Sequence, residues 1–167
     1  MLGVLATAAV PIAPAAEEAA KFKIGDTAPD FTLQEIGGRR VQLSSVNKGK
    51  VVLLAFWSLR CGACIQEIPF LERLHKNSGG QAVAVLSVVT DGVDAAATKT
   101  IMKEIGISPS YPVLVDPDFT ASDMYTDFVV PHTLVIDRKG IIRYVHTGFE
   151  PGTEKQYEAA LKKALEF

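Results

Sequence analysis

The sequence predicts a single α/β domain in which helices cover a mixed β-sheet. Two observations support this prediction. Continuous apolar runs alternate with segments of helical periodicity, and two hairpin patterns interrupt that alternation. The length of 167 residues fits one domain, and the 48% hydrophobic content excludes a disordered chain. The predicted fold class is therefore an α/β sandwich built on a mixed sheet.

The predicted strands are of two kinds. Shorter runs on either side of Gly37-Gly38 and of Asp137-Arg138-Lys139-Gly140 are typical of hairpins, because these residues favour tight turns. Longer continuous apolar runs predict strands that are buried on both faces. In chain order, the predicted strands span residues 31–34, 41–43, 51–57, 82–89, 112–115, 133–136 and 141–145.

The predicted helices follow the buried strands and close the chain. They span residues 62–76, a segment that starts at Asp94, a weaker segment near 118–126, and 153–166, where Thr153 is predicted to cap the helix. Apolar residues at helical spacing form the predicted buried faces, namely Ile65, Ile68, Leu71 and Leu74 in the first helix and Ile101, Met102 and Ile105 in the second.

The first 16 residues differ in composition from the rest of the chain. All 17 Lys and Arg and all 19 Asp and Glu residues follow this segment. Its apolar stretch is too short to span a bilayer as a helix, but Ala13-Pro14-Ala15 fits the cleavage pattern of a secretory signal. We expect residues 1–22 to be a trimmed signal peptide or an apolar N-terminal extension, and residues 23–167 to be the domain.

Charge and cysteine content exclude several functional classes. A net charge of −2 is too weak to favour nucleic acid or an anionic membrane as a partner. Two cysteines are too few for a disulfide framework or a Cys-rich zinc module. The chemistry of the protein therefore depends on where those two cysteines lie.

Both cysteines lie in Cys61-Gly62-Ala63-Cys64, where the first buried strand gives way to the first long helix. The free N–H groups and partial positive charge of a helix N-terminus stabilise a thiolate and lower its pKa. We expect Cys61 to be the exposed nucleophile that attacks a partner disulfide. Cys64, one turn further, is expected to be more buried and to resolve the mixed disulfide.

Two other interpretations of the cysteine pair stay open. The pair could supply half of a zinc site, although the three histidines are scattered along the chain and offer no matching pair. Alternatively, both cysteines could be structural core residues. The Gly62-Ala63 dipeptide between them, placed after a strand, favours an accessible turn instead.

The segment FWSLRCGACIQEIP at residues 56–69 resembles the active-site segment of thioredoxin-fold thiol–disulfide oxidoreductases, and more narrowly that of the TlpA/ResA-like family. The segments 25–31, 111–116 and 130–137 extend the resemblance over about residues 24–167. The resemblance implies a thioredoxin-like three-layer sandwich, a central mixed sheet flanked by helices, with an N-terminal β-hairpin extension.

The resemblance also implies roles for four residues around the cysteines. Pro131 matches a cis-proline beside the disulfide, and Val130 would offer its backbone to a bound peptide; a trans proline that starts an edge strand is the alternative. Glu67 matches an acid that tunes thiol protonation, and the alternative is a first-turn acid that favours the helix dipole. Trp57 matches an aromatic residue near the site, and a plain core residue is an equally supported interpretation.

Two residues depart from the family pattern. Arg60 stands where the family usually has an aromatic residue, so it is expected to lower the pKa of Cys61 and to select acidic or polar partners. His132 stands where Thr or Ala is more usual. It would add a titratable charge beside the dithiol or be a surface residue, and the second interpretation is favoured.

Together these features predict a thiol–disulfide oxidoreductase that acts on protein substrates outside the cytoplasm. The resemblance implies a periplasmic reductase, as in cytochrome c maturation, with a membrane electron donor and no diffusible cofactor. We expect a monomer. The alternatives are a non-catalytic module that holds a metal or a client at the cysteine pair, and a peroxiredoxin. The latter shares the segment 28–31 but, with Cys64 as its peroxidatic cysteine, would need Pro where Trp57 stands and Thr or Ser where Cys61 stands.

The helix-cap argument predicts that Cys61 has the lower thiol pKa. In the reduced protein, Cys61 is expected to react first with a limiting amount of an alkylating reagent, as measured by peptide mapping. The Arg60→Trp variant should raise the pKa of Cys61. Labelling of Cys64 before Cys61 would contradict the assignment of roles.

Overall fold

The computed structural model describes residues 21–167, so most of the predicted N-terminal leader lies outside the described residues. The strands are β1 (Thr32–Glu35), β2 (Arg40–Gln42), β3 (Val51–Trp57), β4 (Val83–Val89), β5 (Val113–Val115), β6 (His132–Ile136) and β7 (Ile142–Thr147). The helices are α1 (Leu43–Asn47), α2 (Gly62–Ser78), α3 (Ala95–Glu104), α4 (Thr120–Tyr125) and α5 (Thr153–Ala164). Within residues 21–167, no helix has the length and apolar character needed to cross a membrane.

All seven strands form one mixed sheet in the order β2-β1-β5-β4-β3-β6-β7. The strands β3, β4 and β5 are parallel, whereas β6 runs antiparallel to β3. The N-terminal hairpin of β1 and β2 joins the sheet because β1 pairs with β5 in antiparallel fashion. The predicted fold class, an α/β sandwich with a mixed sheet, is confirmed.

The strand β3 separates the two halves of the hydrophobic core. All seven of its residues are buried, and their side chains point alternately to opposite faces of the sheet. Leu53 and Trp57 pack on the face covered by α2, α3 and α5, whereas Leu54 and Phe56 pack on the face that carries α4. This alternation gives the three-layer arrangement, with helices on both sides of the sheet.

Three details of the predicted helices are wrong. Ile65 is 36% exposed, because the buried face of α2 runs through Cys64, Glu67, Ile68 and Leu71 and leaves position 65 at its margin. Ile105 is 42% exposed, because it is the C-terminal cap of α3, where the chain leaves the helix. Thr153 is the first residue of α5 and not its cap, which is Gly152 at a φ of 103°.

The turn between β6 and β7 is held by the buried carboxylate of Asp137. One oxygen accepts the N–H groups of Lys139 at 2.8 Å and Ile141 at 3.0 Å, and the other accepts Nε of Arg143 at 2.7 Å. Burial alone would raise the pKa of Asp137, but the hydrogen bonds from Ile141, Arg143 and Lys139 outweigh it and lower that pKa.

The Asp137→Asn variant removes the negative charge that these donors share. We expect the free energy of unfolding, measured in urea at neutral pH, to fall by about 1.5–3 kcal/mol, the typical contribution of a hydrogen bond to a charged group. The exposed Asp118→Asn substitution serves as a control. Equal stabilities for the two variants would show that the carboxylate does not hold the turn.

Candidate active site

Cys61 and Cys64 form a disulfide across the first turn of α2, with their Cα atoms 5.2 Å apart. Cys61 is the N-terminal cap of the helix, and its sulfur accepts the backbone N–H of Cys64 at 3.1 Å. Cys64 is fully buried in the core, whereas Cys61 is only partly buried. The predicted arrangement, an accessible sulfur at the cap and a buried one a turn later, is present.

The turn that leads into the disulfide is held by Asp91, which follows β4. One carboxylate oxygen of Asp91 accepts the hydroxyl of Ser58 at 2.9 Å, and the other accepts the N–H of Leu59 at 2.8 Å. The N–H of Arg60 in turn donates to Ser58 Oγ at 3.2 Å. Asp91 therefore positions the backbone just before Cys61.

Arg60 itself is exposed beside this turn. Its guanidinium forms no ion pair with any carboxylate of residues 21–167. Its predicted effects on the pKa of Cys61 and on the choice of client stay predictions.

The segment before β6 lies against the exposed sulfur. The Val130–Pro131 peptide bond is cis, as the resemblance implied, and the carbonyl oxygen of Val130 is 3.7 Å from Cys61 Sγ. The N–H of Val130 donates to no acceptor in the described part of the chain. A backbone edge with hydrogen-bonding capacity therefore lies next to Cys61.

Glu67 is buried on the face of α2 that carries Cys64, three residues further along. One of its oxygens, Oε1, accepts the hydroxyls of Tyr157 at 2.8 Å and Thr133 at 2.9 Å. Burial raises the pKa of Glu67 to about 7, although both hydrogen bonds act in the opposite direction. Glu67 lies in the second turn of a helix that has no acid in its first turn, so the helix-dipole interpretation is wrong.

The two remaining predicted residues are both buried. His132 is 8% exposed, so its interpretation as a surface residue is wrong. It is the first residue of β6, and its Nδ1 lies 2.9 Å from Thr147 Oγ1. Burial lowers the pKa of His132, against the opposing charge of Asp127. Trp57 is 2% exposed and packs in the same core cluster as Cys64, which matches the core interpretation and leaves it no surface to offer a client.

Sequence reasoning missed three residues of this site. Asp91, Thr133 and Tyr157 are distant in sequence from the residues they contact, and none belongs to a local motif. The weak signal for Asp91 was an acid placed two residues after a strand predicted to be buried.

In residues 21–167, no group of three or more His, Cys, Asp or Glu side chains is arranged to hold a metal ion.

The fold and the disulfide define a thioredoxin-fold thiol–disulfide oxidoreductase. The chain belongs to the AhpC/TSA family, whose model matches residues 24–145. It is 34% identical over 124 residues to the thiol-disulfide oxidoreductase ResA of Bacillus subtilis, covering 74% of this chain and 67% of that protein. It is 32% identical over 137 residues to the thioredoxin-like protein YneN of the same organism, covering 82% of this chain and 78% of that one.

Solved structures resemble the whole described domain. A putative thiol:disulfide interchange protein DsbE from Chlorobium tepidum is 29% identical with a TM-score of 0.77, and the match covers 86% of this chain and 98% of that one. An exposed lipoprotein thioredoxin from Streptococcus pneumoniae is also 29% identical, with a TM-score of 0.67 and coverages of 81% and 99%. The predicted membership of the thioredoxin-fold oxidoreductases is confirmed.

The raised pKa of Glu67 makes stability depend on pH. The folded state holds this proton up to about pH 7, whereas the unfolded chain releases it near 4.5. Stability should therefore fall as pH rises between these values, by up to about 3 kcal/mol. In the oxidised Glu67→Gln variant this part of the pH dependence should disappear, as measured by urea unfolding from about pH 5 to pH 8.

The exposed Glu158→Gln substitution on α5 is the matched control and should keep the wild-type pH dependence. If Glu67→Gln and Glu158→Gln follow the same curve as the wild type, Glu67 is ionised normally in the folded protein.

Proposed function

We propose that this protein is a reductase of protein disulfides that acts outside the cytoplasm, as in cytochrome c maturation. The observation that carries the proposal is the difference in solvent exposure between the two sulfurs. Cys61 is partly exposed, caps a helix and lies 3.7 Å from the carbonyl oxygen of Val130, while Cys64 is fully buried. A client disulfide therefore reaches only the first sulfur.

The exchange proceeds in two steps that transfer two electrons to the client. The Cys61 thiolate attacks one sulfur of the client disulfide, which forms a mixed disulfide and releases one client thiolate. Cys64 then loses its proton and attacks Cys61 Sγ, which forms the Cys61–Cys64 disulfide and releases the second client thiolate. Each released thiolate takes up a proton. A dithiol donor must afterwards return two electrons to the protein.

Glu67 is suited to receive the proton of Cys64. It lies three residues along the helix from Cys64, on the same face, and its pKa of about 7 lies close to that of a reactive thiol. Both hydrogen bonds to Glu67 reach Oε1, and no residue in the range 21–167 donates to Oε2. The second oxygen therefore remains free to bind a proton while the first is held in place.

The proposed location and partners follow the names of the similar proteins. One similar structure is described as a putative thiol:disulfide interchange protein and another as an exposed lipoprotein thioredoxin. A protein that reduces disulfides outside the cytoplasm needs electrons from across the membrane, so we infer a membrane-bound dithiol donor. That the protein works as a monomer and without a diffusible cofactor stays a prediction.

The AhpC/TSA match favours one second candidate, a peroxiredoxin-like peroxidase. Against it, Cys64 is fully buried and Cys61 occupies a position where such an enzyme needs another residue type. Consumption of hydrogen peroxide by the protein, with a dithiol as regenerant, would support the peroxidase. A wild type that exchanges no disulfides, but binds zinc or copper(I) in a titration in which Cys61→Ser does not, would instead support a non-catalytic module.

The reduction potential of the Cys61–Cys64 couple tests the direction of electron flow. A reductase should equilibrate near the reducing end of the thioredoxin-fold range, at about −270 mV. The measurement follows the redox state by alkylation and mass spectrometry in a series of thiol–disulfide buffers, with Cys64→Ser as the control that has no internal disulfide. A potential near about −120 mV would identify an oxidase instead.

A further inference from the structure

A large aromatic side chain is exposed close to the site. Phe128 is 63% exposed and Val129 is 52% exposed, and they directly precede Val130. Phe128 has a φ of 61°, a left-handed conformation that Gly and Asn adopt readily and aromatic residues rarely. Its N–H donates to Thr126 Oγ1 at 3.1 Å, which helps to hold this conformation.

A second phenylalanine completes this surface. Phe119 also has a positive φ, of 56°, and its ring meets that of Phe128 edge to face with the centroids 6.1 Å apart. The ring of Phe119 lies against Gly92, where an added Cβ would come within 2.7 Å of it. We call Phe119, Phe128 and Val129 the aromatic ledge.

The aromatic ledge is continuous with both sides of the active site. On one side it leads through Val129 to Val130, whose carbonyl oxygen lies beside Cys61 Sγ. On the other side Phe119 packs on Gly92, which follows the Asp91 that holds the turn before Cys61. The ledge is therefore joined to the two segments that flank Cys61.

Folding alone does not explain the aromatic ledge. An exposed Phe128 removes little apolar surface from water, and its backbone conformation is unfavourable for that residue type. Unfavourable backbone conformations and contiguous apolar surface both concentrate at functional sites. The aromatic side chain at position 128 is therefore better suited to contact a partner than to stabilise the domain.

We propose that the aromatic ledge binds a bulky apolar side chain that neighbours the reactive cysteine of the client. This inference rests on the proposed function, because it specifies which protein disulfides are preferred. In an extended client, residues advance by about 3.3 Å and every second side chain lies on the same face. A Phe or Leu two residues from the client cysteine would thus reach Phe128, whereas a polar residue there would gain nothing.

Two symmetric peptide disulfides test the inference. They are identical except that the positions two residues on either side of the cysteine are Phe in one peptide and Ser in the other. Pre-reduced protein is mixed with each, and the peptide thiol is followed by chromatography of acid-quenched samples. We expect the wild type to reduce the Phe peptide about tenfold faster, since contact with the ledge removes apolar surface from water.

Phe128→Asn is the decisive variant, because Asn tolerates the left-handed backbone. It should bring the ratio of the two rates to about one by slowing the Phe peptide. Its rates with the Ser peptide and with hydroxyethyl disulfide should match the wild type, and its stability in urea should be equal or higher. Ile24→Asn is the matched control: Ile24 is 67% exposed and lines a groove with Arg143 and Phe167, so the wild-type ratio should persist.

Equal wild-type rates for the two peptides would overturn the inference and leave the proposed function intact. A ratio that survives in Phe128→Asn would overturn it as well. If the wild type reduces hydroxyethyl disulfide but neither peptide, the proposed function fails and the inference fails with it. Should Phe128→Asn not fold, Val129→Ser is the substitute variant, and an unchanged ratio there would overturn the inference.

Discussion

The parallel pairing of β3 with β4 is the constraint on which the site depends. The two strands run in register from Val51 opposite Val83 to Trp57 opposite Val89, so they end at the same edge of the sheet. The segments that follow them meet there, and Asp91 can hold the backbone at Ser58 and Leu59. Since β6 is antiparallel to β3 and begins at His132, the cis peptide bond before Pro131 reaches the same edge.

Opposite electrostatic requirements meet within the first two turns of α2. The exposed end of the helix favours negative charge on Cys61, through free N–H groups and the helix dipole. The buried face of the same helix disfavours negative charge, and burial accordingly raises the pKa of Glu67. The two sulfurs therefore experience different environments although they are bonded to each other. That difference allows one sulfur to attack a client and the other to complete the exchange.

The parts of the molecule that could be predicted from sequence are those set by local pattern. The buried strand β3, the hairpins and the cysteine pair at a strand-to-helix junction each have a signal within a few neighbouring residues. Tyr157 contacts Glu67 across 90 residues, and Asp91 contacts Leu59 across 32, so only the folded sheet brings them together. Ile65 was assigned to the wrong face because the buried face of α2 includes Cys64 and the ionisable Glu67, which the spacing of Ile and Leu residues does not reveal. His132 was misjudged because one polar residue at a strand entrance carries no signal of burial.

The hydrogen bonds to Glu67 have an evolutionary consequence. Two hydroxyls are committed to a carboxyl group whose ionisation costs free energy in the folded protein. Replacement of such an acid by an amide or an apolar residue would remove this cost, and stabilising substitutions of this kind are easily found in natural proteins. Where related sequences keep an acid at this position together with the hydroxyl partners, in spite of that cost, we expect the acid to serve the chemistry of the site. A relative that has lost all three would have been released from that demand.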